Sequence, residues 1–92
     1  MPKWTFLSNH GQVLLCIARD PAVRLREIGD QVGITERAAH RIVGELADAG
    51  YLQRERNGRR NRYTITTHRG LPDPLARDRS IGDLLSVLAD RP

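Results

Sequence analysis

The segment from Ile34 to Leu52, ITERAAHRIVGELADAGYL, constrains the fold of this chain more than any other. Apolar residues recur in it at the i, i+3, i+4 and i+7 spacing of one α-helical face, at Ala39, Ile42, Val43 and Leu46. The Thr35 hydroxyl can accept a backbone N–H of the first turn. Ala49-Gly50 can close the helix, because glycine adopts the left-handed conformation without steric cost. The segment therefore predicts a helix over residues 36–49 with one buried side.

The other side of this predicted helix is basic. At about 100° per residue, Arg37, Arg41 and Gly44 project away from the apolar face, and His40 flanks them. A helix with one apolar side and one basic, hydrogen-bonding side can be anchored in a domain and still enter the groove of a nucleic acid. The pattern therefore favours a DNA recognition helix.

A second, shorter helix precedes the turn. Leu25, Ile28 and Val32 take positions 0, +3 and +7 of an apolar stripe, and Gly33 follows as a helix end. Helix, Gly-Ile-Thr turn and helix together form the pattern of a helix-turn-helix. An ordinary helical hairpin shares this turn chemistry and remains the alternative. Val23-Arg24-Leu25 is either a short strand or the lead-in to the helix.

A β-hairpin is predicted immediately after the recognition helix. Residues 51–56 and 59–66 flank Asn57-Gly58, and Asn-Gly is the strongest two-residue hairpin signal. In the second strand, Tyr63 and Ile65 alternate with threonines, as expected for a strand with one buried face. A recognition helix followed by such a hairpin has the organisation of a winged helix.

The positive charge of the chain is concentrated in this hairpin. The formal net charge is +4. Residues 54–62 hold five arginines against Glu55 alone, and the rest of the chain is balanced in charge. The five arginines are Arg54, Arg56, Arg59, Arg60 and Arg62. A single basic segment on an otherwise neutral domain indicates a polyanionic partner, with a solvated hairpin tip as the alternative.

Apolar segments stand at the N-terminal side of this core. Trp4 and Phe6 are too apolar to leave exposed, so we expect this arm to pack on the body of the domain or on a second subunit. Ser8 or Asn9 can cap a first helix, which Asp20-Pro21 ends because the residue before proline avoids the helical region.

The C-terminal part predicts a further helix after an irregular connector. Ser80 and Asp83 form a capping-box-like start, and an apolar stripe follows at helical spacing. The stripe consists of Ile81, Leu84, Leu85 and Leu88. Because so short a helix is marginal alone, the stripe is expected either to fold back on the domain or to pair with its copy. The predicted division is a DNA-binding domain over 1–66, a connector over 67–79 and a packing or dimerisation helix over 80–90.

Composition excludes several other classes of protein. Cys16 is the only cysteine, so an intrachain disulfide and a paired-cysteine metal site are excluded. His10, His40 and His68 fall on separate predicted elements, and no catalytic set or phosphate loop stands out, so we expect no metal, no cofactor and no enzyme. No export leader opens the sequence, and no apolar run is long enough to span a bilayer. These features predict a cytoplasmic protein without membrane contact.

The run from Leu25 to Ile65 resembles the DNA-binding core of small bacterial winged-helix transcriptional regulators of the MarR/ArsR type. It carries their Gly-Ile-Ser/Thr turn as Gly33-Ile34-Thr35, and the ending of their recognition helix as Gly50-Tyr51-Leu52. The resemblance implies an α+β, mostly α fold, with a three-helix core, a β-hairpin wing and here an additional C-terminal helix. Full-length MarR-type relatives carry longer flanking helices. This chain has little room for the ligand-binding region of those relatives, and the resemblance does not identify a small-molecule effector.

The resemblance also assigns roles to the predicted helix and wing. The first half of the helix would enter the major groove, where Arg37 and Arg41 donate to guanine or phosphate and His40 reaches a base edge. Gly44 would allow close approach of the backbone. Glu36 would accept from cytosine N4 or pair with His40 within the helix, and both roles stay open. The DNA-binding set is Thr35, Glu36, Arg37, His40, Arg41, Gly44, Arg54, Arg56, Asn57, Arg59, Arg60, Asn61 and Arg62.

We therefore expect a sequence-specific regulator of double-stranded DNA, acting as a repressor, with the wing on the backbone or in the minor groove. Recognition of two half-sites about 34–36 Å apart requires two copies of the helix, so we expect a homodimer. Its predicted contacts are Trp4, Phe6, Ile81, Leu84, Leu85 and Leu88. The alternative is a winged-helix module that binds protein or RNA without operator specificity.

Overall fold

The computed structural model describes residues 2–89, apart from the side chain of Asn57. The last residue of the predicted 80–90 segment and the predicted side-chain role of Asn57 lie outside this description. The elements in chain order are α1 (Asn9–Arg19), α2 (Leu25–Val32), α3 (Glu36–Asp48), β1 (Leu52–Asn57), β2 (Arg60–Ile65), a 3-10 turn (Pro74–Ala76) and α4 (Ile81–Ala89). The predicted winged-helix fold, mostly helical with a two-stranded antiparallel wing and a C-terminal helix, is confirmed.

Side-chain caps start three of the four helices. Ser8, and not Asn9, caps α1 by accepting the Gly11 N–H at 3.2 Å. The Thr35 hydroxyl accepts the Ala38 N–H at 3.0 Å, as its position predicts. At the start of α4, Ser80 and Asp83 exchange two hydrogen bonds of 3.0 Å each, which is the predicted capping box. Each cap satisfies donors that have no partner within the helix.

The turn between α2 and α3 has the geometry that its glycine predicts. Gly33 ends α2 in the left-handed region at φ 85°. The backbone N–H groups of Gly33 and Ile34 both donate to the Gly29 carbonyl, at 2.8 and 2.9 Å. This closes the helix and turns the chain sharply into α3, so α2 and α3 form a helix-turn-helix.

Val23-Arg24-Leu25 proves to be the lead-in to α2. Val23 is buried, and Arg24 takes an extended conformation directly before the first helical residue. The segment just before it runs beside the wing, since the Tyr63 N–H donates to the Pro21 carbonyl at 2.9 Å. This bond ties the start of the helix-turn-helix to β2.

A single aliphatic core joins the helices to the base of the wing. The four predicted core positions of α3 are all buried, with exposures of 0, 1, 0 and 6% for Ala39, Ile42, Val43 and Leu46. From the wing, Leu52 and Tyr63 enter the same core. Helix α3 is therefore fixed along its length, whereas the hairpin is fixed only near its base.

Helix α4 folds back on its own domain and packs against α1. Ile81 and Leu85 are buried in the core at 5 and 6% exposure, whereas Leu84 and Leu88 are only partly covered. The alternative of folding back is therefore the one observed in the single chain. It leaves Leu84 and Leu88 as the members of the stripe that remain accessible.

Of the two arrangements expected for the N-terminal arm, packing of Trp4 and Phe6 on the body of their own domain is not observed. Trp4 is 61% exposed and Phe6 is 94% exposed. Their rings contact each other edge to face, with centroids 5.0 Å apart. The arm thus presents an aromatic pair to the outside of the protomer.

Candidate nucleic-acid interface

The predicted contact residues of α3 share its outward face. Thr35, Glu36, Arg37, His40 and Arg41 are exposed. A Cβ added at Gly44 would meet no other atom within 4 Å, so the helix surface there is open to close approach. Because the opposite side of α3 is buried, this face is held outward by packing and not by its own charges.

Arg41 differs from the other predicted α3 contacts because it has a carboxylate partner. Its Nη1 donates to Glu45 Oε2 at 3.1 Å, one turn along the helix. The other carboxylate oxygen of Glu45 accepts from His10 Nε2 of α1 at 2.7 Å. These hydrogen bonds, first from His10 and then from Arg41, lower the pKa of the Glu45 carboxyl. The side chains of His10, Glu45 and Arg41 are 44, 49 and 61% exposed, so solvent screens these contacts.

Among the described residues, Glu36 forms no ion pair with His40, so this one of its two predicted roles is not observed. Instead Glu36 lines a cleft between the start of α2, the start of α3 and strand β2. The cleft has a volume of about 580 Å³. Its charged wall residues are Arg24, Arg26, Glu36, Arg59 and Arg60, and Asn61 and Tyr63 complete the side formed by β2. The wall of the cleft therefore includes four arginines and a single acidic residue.

Two shallower depressions continue this cleft along α3. The first is lined by Leu25, Glu36, Arg37 and His40. The second is lined by Thr35, Arg37, Ala38, His40 and Arg41. Neighbouring depressions share wall residues, so they adjoin one another from the wing to α3. We call their combined surface the basic face, and it consists of Arg24, Arg26, Thr35, Glu36, Arg37, His40, Arg41, Arg59, Arg60 and Asn61.

Residues 5–62, more than half of the chain, match the family model described as MarR family. The chain belongs to the MarR family. The match spans the helix-turn-helix and most of the wing, and it confirms the predicted resemblance to winged-helix proteins of the MarR type.

The solved structures contain a similar protein, the PcaV transcriptional regulator from Streptomyces coelicolor, determined in complex with its natural ligand. The similarity has a TM-score of 0.57 at 27% sequence identity and covers 65% of this MarR-family chain. It covers 45% of the PcaV chain, so the present chain corresponds to less than half of that protein. A comparison with curated protein sequences found no match.

The five wing arginines of this MarR-family chain do not act as one set. Arg59 and Arg60 line the cleft, whereas Arg62 lines a different depression beside α1 and α4. Arg54 and Arg56 are exposed and lie outside the basic face, and Arg56 Nε donates to the Gly58 carbonyl at 3.3 Å.

Four charged residues on or beside the basic face were not singled out from the sequence. Arg24 and Arg26 were missed because the pattern gave α2 only a core role. Glu45 stands four residues after Arg41, and this spacing is a known signal for an ion pair on a helix. His10 lies 35 residues from Glu45 in sequence, and no local pattern predicts that contact.

Two further observations concern other classes of site. Among residues 2–89, no helix is long and apolar enough to cross a membrane. Within the same range, no group of three or more His, Cys, Asp or Glu side chains is arranged to hold a metal ion.

Proposed function

We propose that this chain is a sequence-specific double-stranded DNA-binding domain of a transcriptional regulator. The observation that carries the proposal is the basic face, where cationic side chains of the wing and of α2 are continuous with the outward side of α3. Phosphate contacts fix a protein on the duplex, and base contacts select the sequence. The basic face supplies both kinds of donor on adjoining surfaces. Because a bound domain blocks access to the occupied site, we expect repression.

In this arrangement α3 enters the major groove. A helix about 10–12 Å across fits a groove about 12 Å wide. Arg37 and His40 then reach base edges, and the open surface at Gly44 allows the helix backbone to approach the DNA closely. Thr35 caps the end of the helix whose dipole favours a phosphate. The wing lies along the backbone or in the minor groove, as the charge of its arginines favours.

We further propose that the chain acts as a homodimer. The aromatic pair of Trp4 and Phe6 is largely exposed among the described residues, and Leu84 and Leu88 are only partly covered. Ile81 and Leu85 belong to the core of their own domain, so their role is to hold α4 in place and not to contact the partner. Light scattering at micromolar concentration, with and without DNA, tests this assignment, and a monomer under both conditions would remove it.

Fluorescence anisotropy across a salt series tests the proposed function. The chain is titrated with a random duplex, a single strand and a structured RNA, and the logarithm of affinity is plotted against the logarithm of salt concentration. We expect tightest binding to the duplex, with a slope of about −0.9 for each phosphate contacted. Selection from a random duplex pool then yields the preferred site.

Arg37→Gln is the variant that tests base recognition, and Arg77→Gln is its matched control, since Arg77 is exposed on the connector. We expect only Arg37→Gln to change the selected sequence. Equal affinity for duplex and RNA, or selection that returns no preferred sequence, would favour the protein- or RNA-interaction alternative. The structure favours duplex DNA because the deep, narrow major groove of A-form RNA does not admit a helix.

A further inference from the structure

Glu45 is the residue at which the ion pairs of the described chain meet. Its Oε1 accepts from His10 Nε2 at 2.7 Å, and its Oε2 accepts from Arg41 Nη1 at 3.1 Å. No other ion pair occurs in the part of the chain that the structure describes. Because an ionised carboxylate only accepts hydrogen bonds, His10 Nε2 carries a hydrogen in this contact. Both oxygens of one carboxylate are thus engaged, each by a residue of a different helix.

The fold fixes the backbone on both sides of this contact. His10 lies in the first turn of α1, whose start is capped by Ser8 and whose Val13 is fully buried. Glu45 directly precedes Leu46, one of the buried residues of α3. The two side chains therefore meet across 35 residues of sequence, because packing of α1 on α3 brings them together.

Arg41 keeps most of its hydrogen-bond donors in this arrangement. A guanidinium carries five N–H donors in a planar fork, and the bond to Glu45 uses one of them. The remaining donors are enough for the two parallel bonds with which an arginine reads O6 and N7 of guanine. An arginine held by a carboxylate has fewer rotamers to lose when it binds a base. Arg41 also lines the depression along α3 that contains Arg37 and His40, to which base contacts were assigned.

We propose that His10 and Glu45 are positioning residues for Arg41, and that Arg41, held by them, reads a base edge and not a phosphate. The inference rests on the proposed function and deepens it, because the sequence alone leaves Arg41 free to contact guanine or phosphate. The contacts are screened by solvent in the free domain. Entry of α3 into the groove displaces water around these side chains, and the lower effective dielectric strengthens the contacts there. His10 thereby influences sequence selection from α1, a helix to which no DNA contact was assigned.

The test measures discrimination between bases, because the loss of a carboxylate raises the affinity for every duplex alike. Selection from a random duplex pool, with the wild type and with Arg41→Gln, identifies the base pair whose preference depends on Arg41. The discrimination ratio is the affinity for the selected duplex divided by the affinity for the same duplex changed at this base pair. We expect Glu45→Gln and His10→Ala each to lower this ratio by about two- to fivefold, as for the loss of an exposed charge pair.

Matched variants distinguish positioning from other effects. Asp48→Asn removes the same charge from an exposed site later on α3 and should leave the ratio unchanged. His10→Gln carries an N–H donor at a similar reach from the backbone and should retain most of the ratio that His10→Ala loses. In an Arg41→Gln background, His10→Ala should have no further effect, because His10 acts through Arg41. Circular dichroism and thermal unfolding check that every variant folds.

Three outcomes would overturn the inference while leaving the proposed function intact. The first is an equal ratio for Glu45→Gln and Asp48→Asn. The second is an effect of His10→Ala that persists in the Arg41→Gln background. The third is an unchanged preference at every base pair in Arg41→Gln, since Arg41 would then contact a phosphate. Failure of the wild type to select any preferred duplex would instead overturn the proposed function itself.

Discussion

Helix α3 and the wing both present arginines to the basic face, but the two regions differ in how these charges are held. In α3, Arg41 donates to Glu45 at 3.1 Å, and Glu45 also binds His10 at 2.7 Å. The wing arginines Arg59 and Arg60 have no carboxylate partner among the described residues. The charge of α3 is thus partly neutralised within the protomer, whereas the charge of the wing is available to a partner.

The two regions also differ in how firmly they are anchored. Four side chains of α3 are buried along its length, whereas the hairpin contributes Leu52 and Tyr63 near its base. Under the proposed function, this difference implies that α3 supplies a rigid shape whose side chains select a sequence, and that the wing supplies attraction whose geometry matters less. Variants that separate stability from charge can test this division.

The largest effect is expected from the anchoring of α3. Ile42→Ala removes a side chain that is 1% exposed and leaves a cavity, so we expect the free energy of unfolding to fall by about 2–5 kcal/mol. Urea denaturation followed by circular dichroism measures it. Thr64→Ala, at an exposed position of the wing, is the control and is expected to stay within about 0.5 kcal/mol of wild type. Similar losses for the two variants would contradict the difference in anchoring.

The next effect concerns the charge of the wing. Arg59→Gln with Arg60→Gln should lower the magnitude of the salt slope by about 1.8 and leave the preferred duplex sequence unchanged, because the contacts proposed for these side chains are with phosphates. Arg54→Gln with Arg56→Gln is the matched control on the same hairpin outside the cleft, and a smaller change is expected. Anisotropy titrations at four salt concentrations measure both slopes. A larger change for the control pair would place the DNA against strand β1 and not in the cleft.

Two glycines give opposite stability changes in the two regions. Gly44→Ala meets open space inside α3 and should stabilise the fold by about 0.5–1 kcal/mol through helix propensity. Gly58→Ala at the wing tip forces alanine to φ +65° and should destabilise the fold by about 1 kcal/mol. Urea midpoints measure both. Because the added methyl group blocks close approach to DNA, Gly44→Ala should also weaken duplex binding despite the gain in stability, and unchanged binding would exclude a close approach there.

The smallest effect is expected at Glu45. Glu45→Gln removes the charged partner of Arg41, so duplex affinity should rise slightly. Asp48→Asn, later on the same helix, is the control because it also removes one negative charge.

The lowered pKa of Glu45 sets the sign of a pH effect on stability. The ionised carboxylate stabilises the fold above its unfolded pKa, and this contribution is lost as pH falls through its lower folded pKa. The melting temperature of wild type should therefore fall more steeply than that of Glu45→Gln on acidification.

Local features of the fold could be predicted because neighbouring residues determine them. The spacing of Ile42 and Leu46 predicts a buried face, and the positions of Thr35 and Ser80 predict the caps that the structure shows. Helical spacing alone could not show which residues of the α4 stripe are buried and which remain accessible. Burial there depends on how α4 crosses α1, and helical periodicity contains no information on that angle.

The candidate site was predictable in part for the same reason. The outward face of α3 follows from its buried face, so the positions of Arg37 and His40 could be predicted. The cleft could not, because it arises where α2, α3 and β2 meet, and Arg24 approaches Arg60 only in the folded chain. The contact between His10 and Glu45 joins two helices in the same way.

The buried thiol of Cys16 can report on transient opening of the fold. Cys16 is the only cysteine of the chain and is 8% exposed, and its Sγ donates to Gln31 Oε1 at 3.4 Å. Burial raises the pKa of this thiol and outweighs the lowering effect of Arg19, so little nucleophilic thiolate forms in the native protein. An alkylating reagent should therefore modify the chain mainly during transient opening, and its rate would record how often helices α1 and α2 separate when the domain is free and when it is bound.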